Sequence, residues 1–245
     1  MEITRKQARR FGMKGIVAAA ALLLLPALAA AQDGTITGKI TLEGTPPAPV
    51  KLKMDADPVC ADAHASAPAT AEEIVAGSGG TLQNVFVYVK DGLGDKKFPA
   101  PTDPVVMEQK GCQYHPHVFG VQVGQPLKIL NDDGTLHNIH GMPKNSAQFN
   151  FAMPKFVKQK ETTFTAPEVM VQIKCDVHPW MNGYAGVVPH PFFAVSGADG
   201  TYTIKGLPPG DYTIEAWQEK LGTQTQKVTV GAKESKTADF KFKVS

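Results

Sequence analysis

The sequence predicts an all-β chain with many turns, organised as one large or two ordinary domains. Three observations carry this. Short runs rich in Val, Ile, Thr, Tyr and Phe alternate apolar with polar residues, the period of a half-buried strand. Glycine (23) and proline (19) are frequent and punctuate those runs as turns. The character of the runs changes near Val105 and again near Phe192, and six of the seven histidines fall between 115 and 190. A chain of 245 residues that is 42% hydrophobic can fill one large core or two ordinary ones, so disorder is not its default.

The first segment stands apart from the fold. "MEITRKQARRFGMKG" carries Arg5, Lys6, Arg9, Arg10 and Lys14, the apolar run "IVAAAALLLLPALA" follows, and small residues lead up to Ala31. This is the layout of a secretory signal peptide over residues 1–31, cut near Ala31. The apolar run, broken by Pro26, is short for a membrane span, and Arg9-Arg10 makes an incomplete twin-arginine pattern. No later segment is long and apolar enough to span a bilayer. The expected location is the periplasm, with the extracellular space as the alternative. The whole chain has 25 basic and 23 acidic residues; the leader holds five and one, leaving 20 and 22 and a net charge of −2. That balance argues against nucleic acid or anionic lipid as a partner.

The elements follow in order. "GTITGKITLEGTPPAPVKLKM" (34–54) alternates Ile36, Ile40 and Leu42 with polar residues, ends in a Pro turn and reads as one or two strands. Residues 57–80 are rich in Ala, Pro, Ser and Gly and read as a loop with room for a short helical turn; His64 lies there as a solvated side chain. "LQNVFVYVK" is a strong strand, and "DGLGDKKFPAPTDP" has the composition of a linker. "VVMEQKGC", "FGVQVG", "PLKILN", "LHNIH", "ETTFT", "VMVQIKC" and "YAGVV" are short strands separated by Asn-Asp-Asp-Gly and Pro turns. After Phe192, "TYTIKG" and "DYTIEAW" alternate around the tight turns "ADG" and "LPPG".

This last stretch resembles the carboxypeptidase regulatory-like, transthyretin-like sandwich. Strands like that family's opening ones, "GTITGKITLEG" and "NVFVYV", occur here about a hundred residues upstream. The resemblance therefore implies a discontinuous sandwich of residues 32–101 and 191–245, with residues 102–190 inserted into it or joined in series.

The inserted segment holds the chemistry. Val169, Val171, Ile173 and Cys175 are two apart, so Cys175 ends an inward strand face, where it can be a small buried hydrophobe, half of a disulfide or a ligand. Pro179 forces a turn that can return His178 and Met181 beside it. Thiolate, thioether and imidazole together suit copper rather than zinc or hard cations. A second imidazole has to come from another strand, and "ILNDDGTLHNIHG" offers His137 inward, with His140 on the opposite face as an outer or surface residue.

"YHPHVFGVQVGQPLKILNDDGTLHNIH" followed by "VQIKCDVHPWMNGYAGVV" resembles the cupredoxins, the blue copper proteins, with the amicyanin and plastocyanin groups nearest in ligand-loop spacing. The resemblance covers about a third of the chain. It implies a Greek-key sandwich over 102–190 and one type 1 copper site, with His137, Cys175 and His178 as equatorial ligands and Met181 as the weak axial one. Asn138 becomes the asparagine that ties the two ligand loops together. His178 becomes the edge through which electrons pass to a transient redox partner, ringed by a docking patch of Pro179, Trp180 and Met142.

Pairing Cys60 with Cys112 accounts for the odd cysteine count of an exported chain, leaves Cys175 free and clamps the two sandwiches together; the alternative is two free buried thiols. His115, His117, His140 and His190 are candidates for a second metal site, and Met142, Met153 and Met170 for copper(I). No nucleophile elbow, phosphate loop or carboxylate pair points to an enzyme. An electron carrier is the leading expectation. The alternatives are a module that binds glycan or protein through the regulatory-like sandwich, and a copper storage or delivery protein.

Overall fold

A computed structural model of the chain describes residues 33–244. The expected leader and its cleavage near Ala31 lie outside the described residues. Among the described residues no helix is long and apolar enough to cross a membrane.

The fold is all-β apart from short helical pieces. Strands β1 (Gly34–Glu43) and β2 (Phe86–Asp91) come first. Between them lies one short helix, α1 (Pro58–Ala63), with Asp57 as its N-cap and proline in its first turn, the arrangement both residue types favour. Then come β3 (Val105–Lys110), β4 (Gln113–His115), β5 (Val118–Gln122), β6 (Pro126–Asn131), β7 (His137–Gly141), β8 (Phe149–Met153), β9 (Gln159–Thr163), β10 (Glu168–Lys174) and β11 (Asn182–Val188). Last are β12 (Phe193–Val195), β13 (Thr201–Leu207), β14 (Gly210–Gln218), β15 (Gly222–Val230), β16 (Ser235–Thr237) and β17 (Phe240–Lys243).

These strands form four sheets. One has the order β13-β1-β16, with β17 also parallel to β1, and a second has the order β12-β2-β14-β15. Ile36, Ile40 and Leu42 of β1 and Val87 and Val89 of β2 fill the space between them, together with Ile204, Ile214, Phe240 and Phe242. The chain therefore leaves this pair of sheets after β2 and returns to it at β12, with Val87 opposite Ala216 and Val89 opposite Ile214. In between, β3 to β11 pair only with one another, in the orders β4-β3-β6-β9 and β5-β11-β10-β7-β8. Their shared interior is a second core that includes Leu127, Ile129, Ile139, Val171 and Ile173.

The apolar run of β2 is buried on both faces, which explains why it does not alternate. Val87 and Val89 face the first core, while Phe86 and Tyr88 join Val118 and Val188 in a small third cluster. Gly186 is the seat of that contact: a Cβ there would lie 2.4 Å from the Phe86 ring, so any side chain would push the two pairs of sheets apart.

The expected boundary at residue 101 omits one contribution. Met54 and Cys60 belong to the second core, and Leu52 and Ala69 pack against it. The segment around α1 thus leaves the first pair of sheets and covers one end of the second. "QFNFAM" forms β8, a strand not expected from its Met-, Phe- and Lys-rich surroundings; it is held by β7, with Ile139 opposite Phe151.

Candidate metal centre

Two turns at one end of the second core carry the candidate donors. The first joins β6 to β7. Asn131, fully buried, accepts the N–H of Asp133 at 3.1 Å and donates to the carbonyl of Met153 at 2.7 Å, which fixes the Asn-Asp-Asp-Gly turn. His137 then starts β7 with its side chain buried. The second turn joins β10 to β11. The Cys175 N–H donates to the Met181 carbonyl and the Met181 N–H to the His178 carbonyl, each at 3.0 Å, so the loop closes on itself around Pro179. The His178 N–H points at the Cys175 Sγ, 3.3 Å away. Asn138 ties the turns together: its Oδ1 accepts the Asp176 N–H at 2.6 Å and lies 3.2 Å from the Cys175 Sγ.

The ring nitrogens converge. His137 Nδ1 and His178 Nδ1 are 2.9 Å apart, and His178 Nδ1 is 3.9 Å from the Cys175 Sγ. One donor atom from each of these three residues lies within 4.8 Å of the other two, and all three residues are buried. Met181 is buried at the end of the same loop. A 2.9 Å contact between two Nδ1 atoms has room for one shared proton. Removing it leaves two lone pairs and a sulfur facing one point, a donor set that fits a thiophilic transition metal.

The opposite ring nitrogens are held by carboxylates. His137 Nε2 lies 2.8 Å from Asp133 Oδ2, and His178 Nε2 lies 3.1 Å from Asp57 Oδ2. Cys60 is disulfide-bonded to Cys112, and its Sγ is 3.8 Å from His178 Nε2. Cys175 is the free cysteine. Burial pushes the Cys175 thiol up, but His137 and the N–H groups of Asn138, His178 and Val177 more than reverse this and hold it below the usual thiol range. Burial pushes His137 down, yet Asp133 and Cys175 raise it to about 8. His178 is held below the imidazole range by burial and by His137, against the pull of Asp57. Asp57 and Asp133 both sit below the usual carboxylate range, because hydrogen bonds outweigh burial.

Several expectations are corrected. His178 is not an exposed edge: the residue is 2% accessible, because Asp57 and α1 cover its outer nitrogen. Of the expected docking patch, Pro179 is exposed, Trp180 is half-buried and Met142 is half-buried. The Trp180 ring lies against His178, with centroids 5.0 Å apart and the planes tilted by 41°, and its Nε1 donates to the Cys112 carbonyl. The disulfide clamps α1 to the turn between β3 and β4 within one core rather than joining the two pairs of sheets. His64 is not simply solvated, since its Nε2 contacts the Gly111 carbonyl at 2.7 Å. His117, His140 and His190 turn to Glu219, Asp176 and the Val89 carbonyl respectively, and no three-donor cluster of the described residues includes His115, His117, His140 or His190. Met153 fills the second core and Met170 packs against the third cluster, rather than gathering with Met142. Asp57 and Asp133 were not foreseen as site residues. In the sequence Asp133 reads only as part of a turn, and Asp57 only as the start of a loop with room for a short helical turn.

Solved structures of cupredoxins overlap part of this chain. A copper(I) amicyanin variant is 22% identical, covering 34% of this chain and 81% of its own, at a TM-score of 0.31. A purple cupredoxin from Nitrosopumilus maritimus is 22% identical over 34% of this chain and 97% of its own, at 0.29. A copper-containing nitrite reductase from Thermus scotoductus is 24% identical over 39% of this chain and 24% of its own, at 0.30. Overlap this weak carries no functional weight beside the donor geometry. No curated protein matches the chain. Its last part is similar to the carboxypeptidase regulatory-like domain, whose family model matches residues 188–243.

Proposed function

We propose that the chain is an exported, periplasmic single-copper protein that carries electrons between redox partners. The supporting observation is the convergence of His137 Nδ1, His178 Nδ1 and the free Cys175 in one buried cluster. Copper in such a set supplies one-electron exchange. The chain's own residues do the rest. Cys175, its thiol lowered by His137 and by backbone N–H groups, would supply the strong sulfur donor, His137 and His178 the imidazole donors, and Met181 the weak thioether. Asn138 and the two loop hydrogen bonds keep these donors from moving apart, which holds down the reorganisation that accompanies a change of charge. Burial keeps water from the sulfur.

Because His178 is covered, a redox partner approaches at Trp180 and Pro179 instead. Trp180 packs against His178 and borders a cavity of about 240 Å³ that is also lined by Leu52, His117 and Met181. The test is the metal content and visible spectrum of the purified, oxidised protein. One copper per chain with an intense thiolate charge-transfer band is expected; a colourless, metal-free protein after copper loading would refute the reading. More than one tightly held copper would favour storage or delivery.

A further inference from the structure

We propose that Asp57 and Asp133 are positioning residues of the metal centre, each accepting the Nε2–H of one imidazole so that both Nδ1 lone pairs face Cys175. This rests on the copper reading and adds residues to it. Asp133 lies four residues before His137 in the same turn, whereas Asp57 comes from the segment around α1, 121 residues before His178.

Neither carboxylate is free to turn away. The Asp133 oxygens also accept the N–H groups of Gly111 and Cys112, at 2.7 and 2.8 Å. The Asp57 oxygens also accept the Val59 N–H at 2.9 Å and the Thr135 hydroxyl at 2.7 Å. The disulfide pins both anchors, since Cys60 lies in α1 and Cys112 is one of the residues that Asp133 caps. An ionised carboxylate only accepts, so the ring nitrogen facing it must carry the proton. That assigns the proton of each neutral ring to Nε2 and the lone pair to Nδ1, which is how a carboxylate orients a ligating histidine and raises its basicity. The two Nδ1 atoms are the ones that meet at 2.9 Å. The segment that covers His178 is therefore part of the centre.

Asp57→Asn separates this role from a structural one. The amide keeps one oxygen for the Val59 cap, but presents an N–H₂ group to His178 Nε2. Donor then faces donor, and relief comes by moving the ring proton to Nδ1, where it competes with the metal. Asp57→Ser keeps a capping oxygen and removes the carboxylate. Long-range proton–nitrogen NMR of the metal-free protein should show Nε2 protonated on both rings in the parent, and the His178 proton moved to Nδ1 in Asp57→Asn. Copper(II) affinity, measured against a competing chelator, should fall about 10- to 100-fold in Asp57→Asn, Asp57→Ser and Asp133→Asn. The reduction potential should rise in all three, because a negative charge beside the oxidised site is lost. The metal-free forms of the two Asp57 variants should remain folded at the temperature of the affinity measurement, with any loss of thermal stability too small to account for the loss of copper affinity. An unchanged tautomer with unchanged affinity, or an affinity loss that only tracks metal-free unfolding, would overturn the proposal. If the parent itself shows no thiolate band, the copper reading fails, and the NMR tautomers still decide the carboxylate roles.

Discussion

The two pairs of sheets use the same alternating strands but fill their interiors differently. The core between β1 and β2 is made of Ile, Leu, Val, Ala, Phe and Tyr, and none of its residues contains sulfur. The core of β3 to β11 contains all three cysteines and the methionines Met54, Met107, Met153 and Met181. It also ends in buried polar side chains, Gln109, Asn131, His137, Asn138 and His178, each of which needs a partner to offset lost hydration. Asn131 and Asn138 use theirs to fix turns, and the two histidines use carboxylates. The difference teaches where to look for chemistry in a chain of repeated sandwich architecture. An apolar core is satisfied by packing alone, while a core that buries imidazoles and a free thiol must be built around something else.

The comparison breaks most sharply at Cys175. Cys175→Ser is expected to remove the visible charge-transfer band altogether while circular dichroism keeps its β signature, whereas Phe240→Ala should keep the band in the fraction that stays folded. The Phe240 change should instead cost about 3–5 kcal/mol in denaturant unfolding, the usual loss for a large buried ring. A band that survives in Cys175→Ser would assign the thiolate elsewhere.

Replacing Cys60 and Cys112 together with alanine opens a cross-link spanning 52 residues of sequence, worth about 4 kcal/mol on the chain-entropy account. The loss should appear as unfolding at lower denaturant, with the band still present because neither cysteine supplies the proposed thiolate. Abolition of the band there, with the fold intact, would make the cross-link part of the donor set.

A smaller effect is expected where the two pairs of sheets meet. His117 precedes β5 and lies 2.5 Å from Glu219, which follows β14, with both side chains buried. Burial pushes the His117 imidazole down, but Glu219, and beyond it Glu72, hold it above its ordinary range. A raised value in the folded state means that the ion pair stabilises fully below the unfolded histidine value of ~6.5 and fades as pH climbs through the folded one. His117→Gln keeps an N–H donor for Glu219 but not the positive charge, so it should lower stability by roughly 1–2 kcal/mol at acidic pH, the difference between a charge-assisted and a neutral hydrogen bond. The gap between parent and variant should narrow as pH rises; a gap independent of pH would mean that the pair is held as a neutral hydrogen bond.

The sequence by itself determined what is local. Period-two alternation placed β1, β6, β10, β13 and β14, because a strand with one buried face writes that face into every second residue, and the continuous apolar run of β2 marked a strand buried on both faces. The spacing of Cys175, His178 and Met181 around Pro179 placed one turn of the site, because three and six residues are within the reach of a single loop. Only the tertiary structure decided the rest. The burial of His178, the anchoring of α1 by Cys60, and the carboxylates Asp57 and Asp133 behind the two rings depend on segments up to 121 residues apart meeting at one end of a core. An Asp-Pro helix start and an Asn-Asp-Asp-Gly turn look the same in sequence whether or not an imidazole lies across from them. Which partner a carboxylate serves is a matter of distance, and chain spacing encodes no distance beyond its own loop.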